Sequence, residues 1–482
     1  MSSADWIALL PLILTAGASV LVMVMIAVHR GHLLTLLLTL IGFALSFVSL
    51  RAAGGEAPRQ VTSLLLVDSY AIFYMGMILA ASFTVTLLSY GYFQKCEGQH
   101  EELYILLLLA TLGAEVLVTS THFVSFFLGL EILSVSLYAL TAYLRTRKLS
   151  LEAGIKYLVL AASSAAFLLF GMALIYADLG TMSFAQIATR LSAQASPSLT
   201  VLLPGMVLLI TGIGFKLGVV PFHLWTPDVY EGAPAPVTAF IATVSKGSMF
   251  ALLIRYFYGS GWHRTPEMYL VFAIIAIASM FVGNLLALLQ NNVKRILAYS
   301  SIAHLGYLLV AFLAGGVLAI QAVTFYLVAY FITTLGAFGV VTLLSDGERE
   351  AERLEDYRAL FWRRPVLAGI FTLTLLSLAG IPLTAGFLGK FYVIAAGASS
   401  SSWVLIIILV VSSVIGLFYY LRIVVEMFSD LPEAAVKLQP SKFSLPLLGS
   451  YTLVVLAILL VWFGVYPSQL LNLIRASTNG LT

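Results

Sequence analysis

The chain has 482 residues, is 61% hydrophobic and 10% charged, and has a mean hydropathy of +1.03. A soluble domain is about half apolar and about a quarter charged, so this composition describes an integral membrane protein. The formal net charge of +3 is too small for nucleic-acid binding by field alone, and one cysteine, Cys96, cannot make an internal disulfide, a zinc site or an iron–sulfur cluster.

A spanning helix needs about 20 mostly apolar residues, and continuous rather than alternating apolar runs exclude a closed barrel. In chain order the sequence predicts fourteen spans: 6–28, 32–50, 69–93, 103–120, 122–144, 151–176, 200–220, 234–258, 266–289, 293–314, 317–344, 365–397, 402–428 and 445–463. The first is too long for the apolar region of a signal peptide and has no basic region before it. Two stretches resist a plain count. The residues after Pro221 read as a half-apolar tail to the seventh span. The twelfth is too long for one straight helix and carries Gly380, Pro382, Gly386 and Gly389. The longest polar stretch runs from about Ser345 to Arg364, so the whole chain, 1–482, reads as one membrane domain.

Orientation follows from lysine and arginine in the loops. Arg145, Arg147 and Lys148 lie between the fifth and sixth spans, which makes that loop cytoplasmic. Most of the loop lysines and arginines then share its side, and both termini face the periplasm.

Four lysines fall beyond the first turn of a span: Lys156, Lys216, Lys246 and Lys390. Each costs roughly 2.5–3.5 kcal/mol at a helix centre, and such residues face the bundle interior or water and mark ion pathways. Lys246 lies near mid-membrane, beyond easy snorkelling. Glu131 lies inside its span, in GLEILSVSLYAL. Lys156 follows Glu152 by four residues, ordinary spacing for a helix ion pair, and could snorkel. Glu115, in TLGAEVLVTS, is near a span end, where a structural role is the simpler reading. His304 fits a satisfied core histidine and a proton carrier equally. Asp68, Asp178 and Arg255 read as interfacial.

Proline breaks a helix, and broken helices are tolerated in a membrane only where they line a cavity or are buried in protein. Interrupted helices in corresponding positions of two repeats point to a transporter's ion site. One break follows Lys216, at VVPFHLWTP; the other precedes Lys390, at LAGIPLTAGFLGK. They lie five spans apart. This predicts two five-span repeats, at 103–258 and 266–428, preceded by spans at 1–100 and followed by one at 445–463. An odd number of spans per repeat inverts one relative to the other. A buried lysine with a carboxylate partner can exchange its proton. Glu131 and Lys216 therefore read as a switching pair, Lys246 as a central relay group and Lys390 as its far end. No GxxxxGK[ST], GxGxxG or CxxCH motif occurs, so neither ATP-driven nor redox chemistry is indicated within this chain.

The run FKLGVVPFHLWTPDVYEGAPAPVTAFIATVSK resembles the signature of the antiporter-like membrane subunits of respiratory complex I and related cation/proton antiporters. Within it, HLWTPDVYEGAPAPVTAF is most similar to the N-type. FFLGLEILSVSLYAL, NNVKRILAYSSIAHLGY and LAGIPLTAGFLGKFYV support the likeness, which covers nearly the whole chain. The resemblance implies an all-α fold of fourteen transmembrane helices with two inverted five-helix repeats, each containing a broken helix. It implies a translocase subunit that moves protons, energised by electron transfer from NADH to quinone in other subunits. Glu131, Lys216, Lys246 and Lys390 fall on the family's relay positions, and Lys156 on a further family lysine. No cofactor is expected in this chain; FMN, iron–sulfur clusters, NADH and quinone would belong to partners. The expected partners are neighbouring membrane subunits, the peripheral redox arm and the lipid of a bacterial inner membrane. Two alternatives stay open: an Mrp-type cation/proton antiporter subunit, and a membrane spacer with inert, paired lysines.

Overall fold

The structure, a computed structural model, describes residues 2–193, 199–262, 265–346, 349–430 and 446–478. It is an all-α bundle. In chain order its helices are α1 (Ser3–Ala8), α2 (Leu10–Val28), α3 (His32–Gly55), α4 (Ser69–Phe93), α5 (Glu102–Thr119), α6 (Phe123–Thr141), α7 (Lys148–Leu179), α8 (Phe184–Ala193), α9 (Leu199–Leu217), α10 (Trp225–Gly232), α11 (Ala235–Phe240), α12 (Lys246–Gly259), α13 (Pro266–Leu288), α14 (Val293–Ala314), α15 (Gly316–Leu344), α16 (Leu360–Arg363), α17 (Pro365–Ala379), α18 (Ala385–Ser399), α19 (Trp403–Phe428), α20 (Leu447–Val465) and α21 (Ser468–Thr478). A short antiparallel hairpin, β1 (Arg59–Val61) and β2 (Leu65–Val67), precedes α4.

Among the described residues, thirteen helices are long and apolar enough to cross a membrane, α11 and α12 running on as one. Polar side chains set several starts. Asp68 Oδ1 accepts from the Ala71 N–H at 2.8 Å, and Asn292 Oδ1 from the Arg295 N–H at 3.1 Å, the usual device for satisfying orphan donors in a first turn.

Two expectations change here. The twelfth span is two helices, α17 and α18, because Gly380 at φ +87° ends the first and Thr384 caps the second. The stretch after Pro221 is no tail: α9 stops at Leu217, and α10 is a separate short helix. Counting α17 and α18 as one crossing adds a fourteenth to the thirteen.

Helices α11, α12, α14 and α15 are almost wholly buried, whereas α2, α7, α19 and α20 show apolar flanks such as Val24, Phe170, Val414 and Ile458 to the outside. That arrangement suits a bundle surrounded by lipid. The loops gather at two ends. At one, Lys95 Nζ donates to Ser345 O at 3.0 Å, Arg295 pairs with Asp228 at 2.9 Å, and Arg358 pairs with Glu426 at 3.7 Å. At the other, Arg59 pairs with Asp5 at 2.6 Å and the Phe123 N–H donates to Met182 O at 3.0 Å.

Candidate functional site

Among the described residues, the core of the bundle holds three ammonium groups with no carboxylate in contact. Lys216, Lys246 and Lys390 are 3%, 1% and 7% exposed, and among the described residues none makes an ion pair. Each is held by hydroxyls, carbonyls and ring faces, which satisfy an ammonium without fixing its charge.

The first break places Lys216. Helix α9 ends where Gly218 takes φ +72° and its N–H returns to Gly214 O at 2.9 Å. The Phe215 carbonyl shares that N–H, also at 2.9 Å, and accepts in addition from the Trp225 indole N–H at 2.8 Å. Lys216 Nζ donates to Ser134 Oγ on α6 at 2.6 Å and lies 5.6 and 5.7 Å from the Tyr157 and Tyr138 ring centres, within cation–π range. Trp225 stacks on Tyr157 at 4.8 Å with 21° between planes, and its ring centre lies 5.9 Å from Lys246 Nζ. A Cβ at residue 218 would sit 2.5 Å from Thr226 Oγ1 and 3.4 Å from Lys246 Nζ. Glycine is thus required there both for its dihedral and for the space between the break and Lys246.

Lys246 follows a π-helical turn, Ile241–Ser245, the kind of single-turn bulge that recurs at functional sites. Its ammonium donates to Ser301 Oγ on α14 at 2.8 Å. The same oxygen accepts from Tyr330 OH at 2.7 Å, and Tyr230 OH lies 3.4 Å away.

From there a polar seam crosses to the second break. The Tyr330 ring is 5.7 Å from His304. His304 Nδ1 bonds Tyr326 OH at 2.7 Å, and its Nε2 bonds Tyr420 OH at 3.1 Å. The Tyr307 ring lies 5.3 Å from His304 and 5.2 Å from Lys390 Nζ. Lys390 itself reaches back across its break. Its ammonium donates to Leu378 O at 2.9 Å, Ala379 O at 2.8 Å and Ser413 Oγ at 2.6 Å. It therefore serves as the C-terminal cap of α17, where helix carbonyls favour a cation.

The remaining sequence-derived residues lie in different settings. Glu131 is half-buried on α6, one turn before Ser134. Its Oε1 has no hydrogen-bond partner and it forms no ion pair with Lys216. Lys156 is 45% exposed in its side chain and pairs with Glu152 at 2.7 Å and Asp228 at 3.0 Å. Glu115 is fully buried, against α2 and α3 and away from the lysines. Asp68 and Arg255 pair with each other at 2.7 Å, Arg255 being buried.

Sequence reasoning missed a second charged centre. Lys294 is fully buried; its ammonium donates to Glu231 O and Ala233 O, each at 2.7 Å, and contacts Glu350 Oε2. Glu350 Oε1 also accepts from the Ala235 N–H at 2.9 Å and from Tyr92 OH, and Arg147 lies 3.6 Å away. This pair clamps both sides of the joint between α10 and α11, and α10 carries Trp225 and Tyr230 to Lys246. Burial pushes the neighbouring Glu352 carboxyl above its ordinary value, against the pull of Lys294. One signal was available: a lysine in the first turn of a helix opposes the dipole, so Lys294, two residues after the cap Asn292, needs an anion. Nothing in the sequence separates Glu350 from Glu352 or Glu355 as that anion.

A family profile described as NADH:quinone oxidoreductase/Mrp antiporter, TM matches residues 120–416. The NADH-quinone oxidoreductase subunit N of Nitrosospira multiformis is 54% identical over 492 residues, covering 99% of this chain and 97% of that protein. A chain of respiratory complex I from Thermus thermophilus, solved with bound aureothin, superposes with a TM-score of 0.82 at 32% identity, covering 97% of this chain and 99% of that one. A chain of the Mrp complex from Dietzia sp. has the same fold, with a TM-score of 0.86 at 20% identity over 100% and 98% of the two chains.

Proposed function

The chain belongs to the NADH:quinone oxidoreductase/Mrp antiporter transmembrane family and, within it, to the N subunits, and from that premise we propose that protons cross it through Glu131, Lys216, Lys246 and Lys390. It is a proton-translocating membrane subunit of NADH:quinone oxidoreductase. The carrying observation is the row of three buried ammoniums with no anion in contact, joined by hydroxyls and rings. An ammonium in that state can give up its proton without stranding a buried carboxylate, whereas breaking a tight buried pair costs about 3–5 kcal/mol.

In this reading Glu131 hands a proton to Lys216 by way of Ser134. Lys246 receives it past the Trp225–Tyr157 stack, and Ser301, Tyr330 and His304 lead on to Lys390. Lys156 tethers α10 from outside the row. Residues 103–258 and 266–428 form the two inverted units, each holding one broken helix. NADH, FMN, iron–sulfur clusters and quinone belong to partner subunits, in the peripheral redox arm and beside this chain in a bacterial inner membrane. The end bearing Arg147, Lys294 and Glu350 faces the cytoplasm, and both termini face the periplasm.

The test uses the whole complex in sealed vesicles. Lys246→Ala and Lys216→Ala are expected to lower the protons moved per NADH oxidised. Unchanged pumping in both variants would sink the relay. Sodium/proton exchange by vesicles lacking any redox partner would favour the Mrp-type reading instead, which rests at present on a shared fold.

A further inference from the structure

One buried acid belongs to no part of this row. Glu115 is 0% exposed on α5, facing α2 and α3. Its Oε1 lies 3.3 Å from Thr15 Oγ1, and its Oε2 has no partner. Thr15 Oγ1 lies 3.0 Å from Ser46 Oγ and 3.1 Å from Pro11 O, and Ser46 Oγ lies 2.8 Å from Pro11 O.

These contacts can be counted in protons. The linear chain from Glu115 through Thr15 and Ser46 to Pro11 O has three oxygen–oxygen contacts and needs three hydrogens. A hydroxyl supplies one donor each, and an ionised carboxylate supplies none. If Glu115 were ionised, two hydrogens would have to serve the four contacts just given, leaving two of them bare. With a proton on Glu115 Oε1, the linear chain is filled, the acid donating to Thr15, Thr15 to Ser46 and Ser46 to the carbonyl, and only the 3.1 Å approach of Thr15 Oγ1 to Pro11 O is left without a hydrogen. Such a head-to-tail chain also polarises itself favourably. The orphan Oε2 is then a neutral carbonyl oxygen, far less costly to bury than half of a carboxylate.

The charged groups on the surrounding elements do not supply a counter-ion. On α12, which packs against α5, Arg255 donates to Val118 O at 3.1 Å but is taken up by both oxygens of Asp68, at 2.7 and 2.9 Å. Lys246 on the same helix is bonded to Ser301. On α3, Arg51 is exposed and His32 bonds Tyr104 OH. Glu131 on α6 makes no ion pair, and α2 and α4 carry no charged residue. We infer that Glu115 is a proton-binding site apart from the relay: a carboxylic acid that stores one proton at the seam between the N-terminal helix pair and the translocating bundle. The inference does not depend on the relay, since Glu115 touches none of its members.

The test is infrared spectroscopy of the purified complex at neutral pH. The parent protein is expected to show an un-ionised carboxylic-acid carbonyl band that Glu115→Gln removes. Superimposable spectra in that region would overturn the assignment. If Glu115→Gln fails to assemble, Thr15→Val decides. Removal of the hydroxyl that receives the acid's hydrogen shifts the band if the chain exists and leaves the spectrum unmoved if it does not.

Discussion

The two broken helices solve one problem in opposite ways. At the first, between α9 and α10, the Phe215 carbonyl is taken by the Gly218 N–H and the Trp225 indole, and Lys216 is left with a single hydroxyl and two ring faces. At the second, between α17 and α18, the lysine takes the freed carbonyls of Leu378 and Ala379 itself. One ammonium is a guest at its break; the other is part of the backbone's hydrogen bonding. A group held by one hydroxyl can lose a proton or swing away cheaply, whereas a group that caps a helix must leave that helix end unsatisfied when it moves. The first ammonium is thus held more loosely at its break than the second.

The sharpest way to break this contrast is to remove each lysine's charge and keep its bulk. Lys390→Met strands the Leu378 carbonyl, at about 1–3 kcal/mol, and leaves Ala379 O only the Ser413 hydroxyl at 3.4 Å. Lys216→Met strands only Ser134, whose hydroxyl still bonds Leu130 O at 2.5 Å, and is expected to cost about 1 kcal/mol. Thermal unfolding of the purified complex should separate the two variants clearly, and equal losses would refute the contrast. Next in size is Gly218→Ala. A left-handed backbone costs a residue with a Cβ roughly 1–2 kcal/mol, and the new methyl meets Thr226 Oγ1 at 2.5 Å. Translocation should fall with it, because the displaced segment borders Lys246, while NADH oxidation by the redox arm persists. Trp225→Phe keeps an aromatic ring at the stack but removes one of the two donors to the Phe215 carbonyl, which retains the Gly218 N–H, for a loss of about 0.5–1.5 kcal/mol. Smallest is the serine pair. Ser413→Ala leaves Lys390 its two carbonyls and should change pumping little, whereas Ser134→Ala removes the one hydrogen bond of Lys216 and should slow it several-fold. Indistinguishable pumping rates for these two would remove the distinction between the breaks at its finest level.

The spans were legible because apolar runs of membrane length have no competing reading; α4 falls on 69–93 and α14 on 293–314, as the sequence predicts. The lysines stood out for the same reason, as charges in an apolar run. Their partners did not. Ser134, Ser301 and Ser413 are three serines among many, chosen by packing between helices distant in sequence. The reach of Lys390 back to α17 depends on the angle at which α18 re-enters after Gly380. The Glu115 chain was hidden for a related reason: its acid is 100 residues from Thr15. Lys294 lies at the very start of a predicted span, two residues after the cap Asn292, and only the fold shows that the loop bearing Glu350 turns inward to meet it.

The π-helical turn before Lys246 gives the helix slack in its length. A π turn carries one residue more than the α ladder needs, and its widened ring absorbs that residue. Deleting one residue from Ile241–Ser245 would therefore restore a regular helix with little change of phase, leaving Lys246 toward Ser301 and Arg255, nine residues on, toward Asp68. Deleting one residue from the regular stretch between Lys246 and Arg255 would instead rotate one end against the other by about 100°, and the two contacts could not both survive. The length of this helix is thus adjustable in its π turn and fixed between its two charged contacts.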